Sequence, residues 1–83
     1  MKDILVIIPC YNEEENITNV FNELVNDLPQ ADVLIIDDYS KDNSLKIIKG
    51  LGCSYISLPF NLGYSGALQT GFKYALNFDK KNK

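Results

Sequence analysis

Val33-Leu34-Ile35-Ile36-Asp37-Asp38-Tyr39-Ser40 runs four apolar residues directly into two adjacent carboxylates. An unbroken apolar run of this length, rich in β-branched residues and followed by turn formers, reads as a strand buried on both faces. The acids then sit at its carboxyl end, where they either cap a neighbouring element or face a ligand. Side chains alternate along a strand, so Asp37 and Asp38 point to opposite sides and at most one of them faces a ligand.

The same kind of run occurs earlier, at Ile4-Leu5-Val6-Ile7-Ile8, and reads as a first strand buried on both faces and stopped by Pro9. Between the two strands Ile17, Val20, Phe21, Leu24 and Leu28 recur at helical spacing, one stripe of a helix that Pro29 closes. Asn12 stands at its N-cap position, with Glu15 three residues on. After the acids, Ser44 to Leu51 reads as a short helix with Leu45, Ile48 and Leu51 inward, ended by Gly50 or Gly52. Asp42, Asn43 and Ser44 supply its cap and turn. Tyr55-Ile56-Ser57-Leu58 reads as a third strand. Beyond Pro59 and the turn-rich Phe60 to Gly66, a third helical stripe comprises Ala67, Leu68, Gly71, Phe72, Ala75 and Leu76, and residues 78–83 read as a frayed tail.

The order β-α-β-α-β-α predicts a parallel α/β sheet with helices on its faces, one half of a doubly wound, Rossmann-like fold. Ligands bind such sheets outside the carboxyl ends of the strands. Three loops converge there: PCYNEEE, DDYSKDNS and PFNLGYSG. In the third, Asn61 can fold the turn through its amide, while Gly63 and Gly66 permit backbone angles or close approaches closed to larger residues. That loop either begins the helix or lines a ligand, and the two roles are compatible. Ala67 and Gly71, four apart, let the third helix lie close to the sheet.

Composition narrows the chemistry. At 83 residues the chain forms a single small domain, 1–83, able to bury only about 60% of its unfolded surface. Eight basic against eleven acidic residues, net −3, give no electrostatic footprint for nucleic acid. All the basic residues are Lys, and Lys73, Lys80, Lys81 and Lys83 read as a solvated helix end. The chain has no His, which excludes Ser-His-Asp or Cys-His catalysis and His-ligated metal within it. Cys10 and Cys53, in apolar settings, read as small buried hydrophobes in a reducing compartment. No apolar run is long enough for a signal-peptide core or a membrane span.

An acid at the end of the second strand is also the ribose-binding residue of dinucleotide folds. Those folds need G-x-G-x-x-G after the first strand so that backbone can approach pyrophosphate. This chain has PCYNEEE there, whose three carboxylates suit a helix N-terminus but repel phosphate. A phosphate-accepting receiver domain would place its paired acids after the first strand, in a loop that here begins with Pro9.

Three motifs in order do match one family. Ile7-Ile8-Pro9-Cys10-Tyr11-Asn12-Glu13-Glu14, then VLIIDDYSKDNS, then Asn61-Leu62-Gly63-Tyr64-Ser65-Gly66-Ala67 resemble the opening of inverting family-two glycosyltransferases, most of all the dolichyl- or polyprenyl-phosphate sugar transferases. The resemblance spans residues 3 to 78 and implies the N-terminal half of a glycosyltransferase A-type fold. It implies a nucleotide-sugar pocket in which Pro9 and Tyr11 wall the base and ribose, Glu13 approaches the ribose and Asp38 recognises the base. Asn61 and Gly63 would line it from the third loop. The plainer reading of Glu13, Glu14 and Glu15 is helix-start charge, that of Tyr11 a surface aromatic packed on its own loop, and that of Asp37 a turn or backbone cap. An ionised carboxylate only accepts, so Asp38 suits the imide N–H of uracil or the N1–H and amino group of guanine better than the ring acceptor of cytosine.

The family's D-x-D metal carboxylates and its catalytic base follow later strands, and Asp37-Asp38 is not that motif. The expectation is therefore a truncated nucleotide-sugar-binding domain. Its complete enzyme would use Mg2+ or Mn2+ to move a sugar from a UDP- or GDP-sugar to an acceptor such as a polyprenyl phosphate, at the cytoplasm or the cytoplasmic face of a membrane. The chain itself would bind no metal and transfer no sugar. The alternative is a non-catalytic nucleotide-binding or assembly module. A first strand left at the edge of the sheet would also promote self-association.

Overall fold

β2 (Ala31–Asp37) is the middle strand of a three-stranded parallel sheet of order β1-β2-β3. β1 (Ile4–Cys10) pairs with it from Ile4 opposite Ala31 to Cys10 opposite Asp37, and β3 (Ser54–Ser57) from Ser54 opposite Leu34 to Ser57 opposite Asp37. The computed structural model describes residues 3–81, with side chains as far as Leu76. Three helices complete the expected alternation: α1 (Ile17–Asp27), α2 (Ser44–Gly50) and α3 (Gly63–Lys81).

Being paired on both edges and covered on both faces, β2 buries Leu34, Ile35 and Ile36 completely. Each such side chain contributes about 1.5 to 3 kcal/mol. Val33 and Ile35 face one half of the core with Ile17 of α1, Ile48 of α2 and Cys10. Leu34 and Ile36 face the other half with Leu58 and Ala67 of α3. Two successive crossovers in one direction keep α1 and α2 on the same face, whereas α3 returns across the opposite face against β1 and β2. That change of face opens a crevice at the carboxyl ends of β1 and β2.

Several details depart from the sequence reading. β1 is not buried on both faces: Leu5 to Ile8 are half-buried and Ile4 is exposed, because among the described strands β1 is the sheet's edge. Nor does Pro9 stop it. The Cys10 carbonyl accepts from the Asp38 N–H at 2.8 Å, so Cys10 faces β2 and Pro9, one residue back, faces the open side, where no ladder bond is lost.

α1 starts at Ile17 instead of just after Asn12. Asn12 has φ 53°, outside any helix, and the residue flanking α1 is Asn16. Its stripe is narrower than expected, with Val20 exposed. β3 begins one residue early, although the Leu58 N–H still bonds the Asp37 carbonyl at 2.9 Å. Gly52, at φ 81°, turns the chain out of α2.

α3 presents Ala67, Gly71 and Tyr74 to the sheet, and its Phe72 and Leu76 are exposed, contrary to the predicted stripe. A Cβ at Gly71 would lie 2.6 Å from Ile7 Cγ2, so the helix crosses β1 at a distance only glycine permits. The backbone expected to fray from residue 78 is helical through Lys81, and residues 82 and 83 lie outside the described residues.

Candidate functional site

The two acids at the end of β2, Asp37 as its last residue and Asp38 just beyond it, part as alternation requires. Asp38 turns to the α3 side and is almost fully buried. Its Oδ1 accepts from the Leu62 N–H at 2.7 Å and its Oδ2 from the Gly63 N–H at 2.9 Å, while its carbonyl accepts from Asn61 Nδ2 at 3.1 Å. Gly63, at φ 79°, aims its N–H back at the strand, a conformation that a β-carbon would strain. Asp38 therefore caps α3, satisfying N–H groups left unpaired at its start and complementing the helix dipole. A carboxylate oxygen offers a second lone pair, so the cap leaves acceptor capacity toward the crevice.

Asp37 turns the other way and is equally buried. It accepts from the Ser40 hydroxyl at 2.6 Å and from the Ser40 N–H at 3.2 Å, closing the turn in which Tyr39 adopts φ 62°. This is the backbone-capping role expected of it.

The second loop also grips the first. Three consecutive N–H groups, those of Asn12, Glu13 and Glu14, donate to Ser40 Oγ at 2.9 Å, Ser44 Oγ at 2.8 Å and Asp42 Oδ2 at 3.2 Å. The Lys41 N–H returns a bond to Asn12 Oδ1 at 2.8 Å, and Asn43 Nδ2 one to Glu14 Oε2 at 3.2 Å. Asp42 also caps α2 by accepting from the Ser44 N–H at 2.9 Å. Desolvation pushes the Asp42 carboxyl upward, but bonds from the Ser44 hydroxyl and from the Ser44 and Glu14 N–H groups outweigh it and hold the carboxyl below its ordinary value.

These joints surround a cavity of about 500 Å³ lined by Pro9, Cys10, Tyr11, Glu13, Asp38, Asn61, Gly63 and Tyr64. Every residue that the sequence singles out for nucleotide binding lies on it, and the sequence reading missed Cys10 and Tyr64. Tyr64 was legible as an aromatic between the loop glycines. Cys10 was read only as a core residue, which it also is. Burial raises the Cys10 thiol to about 11, with the Ser44 hydroxyl opposing and the Asp37 charge adding to the rise, so the thiol is protonated near neutral pH. Both cysteines are free. A smaller cavity of about 240 Å³ shares Pro9 and Glu13 and continues along Ile8, Asn16, Ile17 and Val20.

Among the described residues no three His, Cys, Asp or Glu side chains converge to hold a metal ion. The described residues thus offer no donor set that fits the divalent cation implied by the family. Nor is any helix among them long and apolar enough to cross a membrane.

A parallel α/β sheet with three loops folded around an acid-walled crevice at its carboxyl ends defines a domain of the Rossmann-like class. The family model for "Glycosyl transferase family 2" matches residues 5–77, and the chain belongs to that family. It is 52% identical over 50 residues to a UDP-N-acetylglucosamine--dolichyl-phosphate N-acetylglucosaminyltransferase of Methanococcus voltae, covering 60% of this chain and 20% of that protein. To a dolichol-phosphate mannosyltransferase of Pyrococcus furiosus it is 33% identical over 78 residues, 87% of this chain and 22% of the relative. To Protein RfbJ of Shigella flexneri it is 35% identical over 57 residues, 69% of this chain and 44% of the relative. The chain thus spans less than half the length of each of these relatives. No solved structure matches it significantly.

Proposed function

We propose that the chain is the nucleotide-binding part of a glycosyltransferase that moves a sugar from a UDP- or GDP-sugar to an acceptor such as a polyprenyl phosphate. The observation that carries this reading is the meeting of Pro9, Tyr11, Glu13, Asp38, Asn61 and Gly63 on one cavity at the strand ends. Its volume of about 500 Å³ lies within the range of small-molecule sites, about 300 to 1,000 Å³. Two relatives are named for transfer to a dolichyl or dolichol phosphate, and one of them names UDP-N-acetylglucosamine, which favours this donor and acceptor class.

In this reading Asp38, anchored by the Leu62 and Gly63 N–H groups, presents its remaining lone pairs to the base. A uracil imide N–H, or the guanine N1–H and amino group, donates to them, whereas cytosine offers an acceptor and is disfavoured. Pro9 and Tyr11 form the wall along base and ribose, and the Glu13 carboxylate accepts from a ribose hydroxyl. Asn61 and Gly63 keep the third loop folded against Asp38. The chain's own residues bind and orient the donor. The acid that deprotonates the acceptor and the carboxylates that hold a metal belong to parts of the enzyme beyond this half.

Titration of the labelled chain with UDP, GDP and CDP, followed by amide NMR, tests the proposal. UDP or GDP should shift Tyr11, Glu13, Asp38 and Gly63 together, and CDP should bind more weakly. Equal affinity for all three nucleotides, or shifts elsewhere, would reject the assignment. Purified chain should also release no sugar from either donor with Mn2+ present, and metal-dependent turnover would overturn that part.

A further inference from the structure

The cavity wall formed by Tyr11 and Glu13 depends on Asn12, and Asn12 is held from outside its own loop. At φ 53° it occupies the left-handed region, which a non-glycine residue keeps only when its surroundings hold it there. Two bonds do so, both to the turn after β2: the Asn12 N–H donates to Ser40 Oγ, and Asn12 Oδ1 accepts from the Lys41 N–H. The serine is fixed in turn. Its one hydroxyl hydrogen is committed to Asp37 Oδ1 at 2.6 Å, and a carboxylate only accepts, so the Ser40 oxygen is left to accept from Asn12. Asp37, buried on the face away from the cavity, thus reaches the cavity wall through Ser40 and Asn12.

We infer that Ser40, oriented by Asp37, is a positioning residue for nucleotide binding: it locks Asn12 in the left-handed conformation and so sets Tyr11 and Glu13 against base and ribose. The inference rests on the proposal that the cavity takes a nucleoside diphosphate. Glu13 and Glu14 have a further hold of their own, their N–H groups being bound by Ser44 and Asp42. Removing the Ser40 hydroxyl should therefore loosen Tyr11 and Asn12 without unfolding the loop as a whole. Tyr11 neither touches Ser40 in sequence nor shares its loop, which is why the link is invisible in the chain order.

Calorimetric titration of the full chain with UDP and GDP, beside thermal melts, tests the relay with three variants. Ser40→Ala should raise the Kd about three- to tenfold, the effect of losing one net hydrogen bond. Ser40→Thr, which keeps the hydroxyl, should restore most of that loss. Leu51→Ala, a half-buried substitution remote from the cavity, should lower the melting temperature at least as much and leave the Kd unchanged. Unaltered affinity in Ser40→Ala, or an equal loss in Leu51→Ala, would overturn the inference. If the unmodified chain binds neither nucleotide, the functional proposal fails while the relay is still judged by NMR of the free chain. Displaced Tyr11 and Asn12 resonances in Ser40→Ala would then support it, and unmoved ones would refute it.

Discussion

Neighbouring aspartates of like chemistry do different work because one peptide bond turns them to opposite faces of β2. Asp38→Asn replaces an acceptor-only group with an amide, whose NH2 cannot receive the Leu62 or Gly63 N–H groups or a base N–H. UDP or GDP binding should weaken by about 1.5 to 3 kcal/mol, the range for a hydrogen bond to a charged group. Asp37→Asn should cost less affinity, since it acts only through the Ser40 turn; calorimetry finding equal losses at both positions would remove the distinction. Thermal melts should show that Asp38→Asn also destabilises, by about 1 to 3 kcal/mol, because the amide keeps one acceptor oxygen and leaves the Leu62 or the Gly63 N–H without a partner. Asp42 gives a pH dependence of known sign. Its carboxyl is depressed in the folded chain, so the stabilisation it brings is present above the unfolded value and disappears as pH falls through the folded one. Acid titration should therefore move the Glu14 and Ser44 amides together below about pH 4, the ordinary carboxylate range, and Asp42→Asn should abolish that step. Cys10 works in the opposite direction, its thiol lying raised at about 11. Stability is unaffected by it near neutral pH and should decline as pH climbs from 9.0 toward 11, a decline that Cys10→Ala should flatten.

Helix α3 is placed on the sheet by what it lacks. Because a Cβ at position 71 would meet Ile7 Cγ2 at 2.6 Å, Gly71→Ala should destabilise the chain by about 1 to 3 kcal/mol, the usual cost of overpacking, despite alanine's better helix propensity. Ile7→Ala, which removes Cγ2 and the other two carbons the added Cβ would meet, should make the further change Gly71→Ala cost less than it does in the parent, and denaturant melts showing Gly71→Ala as stable as the parent would contradict the close crossing. The alternation of elements was legible because apolar runs without polar interruption and stripes at helical spacing have different periods. The third helix's close approach was legible in Ala67 and Gly71. What escaped the sequence was set by distant partners. Asn12 has the composition of an N-cap but is recruited by Ser40 and Lys41, and that moves the start of α1 to Ile17. Pro9 has the look of a strand breaker but falls on the side of β1 where no partner needs its N–H. Phe72 and Leu76 carry the helical period yet lie outside the arc that α3 turns to the sheet. At the site, Pro9, Tyr11, Glu13 and Asp38 could be named from the resemblance to the family, and Asn61 and Gly63 from the turn chemistry of the third loop. Asp42 and Ser44 were read as cap and turn residues and Ser40 was given no role, because nothing in linear order marks their oxygens as acceptors for the first loop.

Among the described residues the sheet has two unequal edges: β2 is enclosed, the four-residue β3 offers a short, half-polar edge, and the seven-residue β1 offers a longer apolar one. Since Cys10 faces β2, so do Ile8, Val6 and Ile4 by alternation, and the outward groups belong to Leu5, Ile7 and Pro9. Among the described residues Leu5 and Ile7 thus turn N–H and C=O groups to the open side of a half-buried apolar strand. Pro9 withholds a donor at one end, and the run from Ile4 to Ile8 carries no charge, proline or bulge to discourage pairing. A domain this small also has little stability with which to keep such a surface exposed. The chain is therefore expected to self-associate through β1 at high micromolar concentration, and sedimentation velocity should show species larger than a monomer. Ile4→Lys places a charge on that edge at an already exposed position and should shift the distribution toward monomer. Tyr55→Lys, an exposed change on the opposite edge strand β3, should leave it unchanged. A compact monomer throughout, or an equal response to both lysines, would mean that β1 is not the surface through which copies meet.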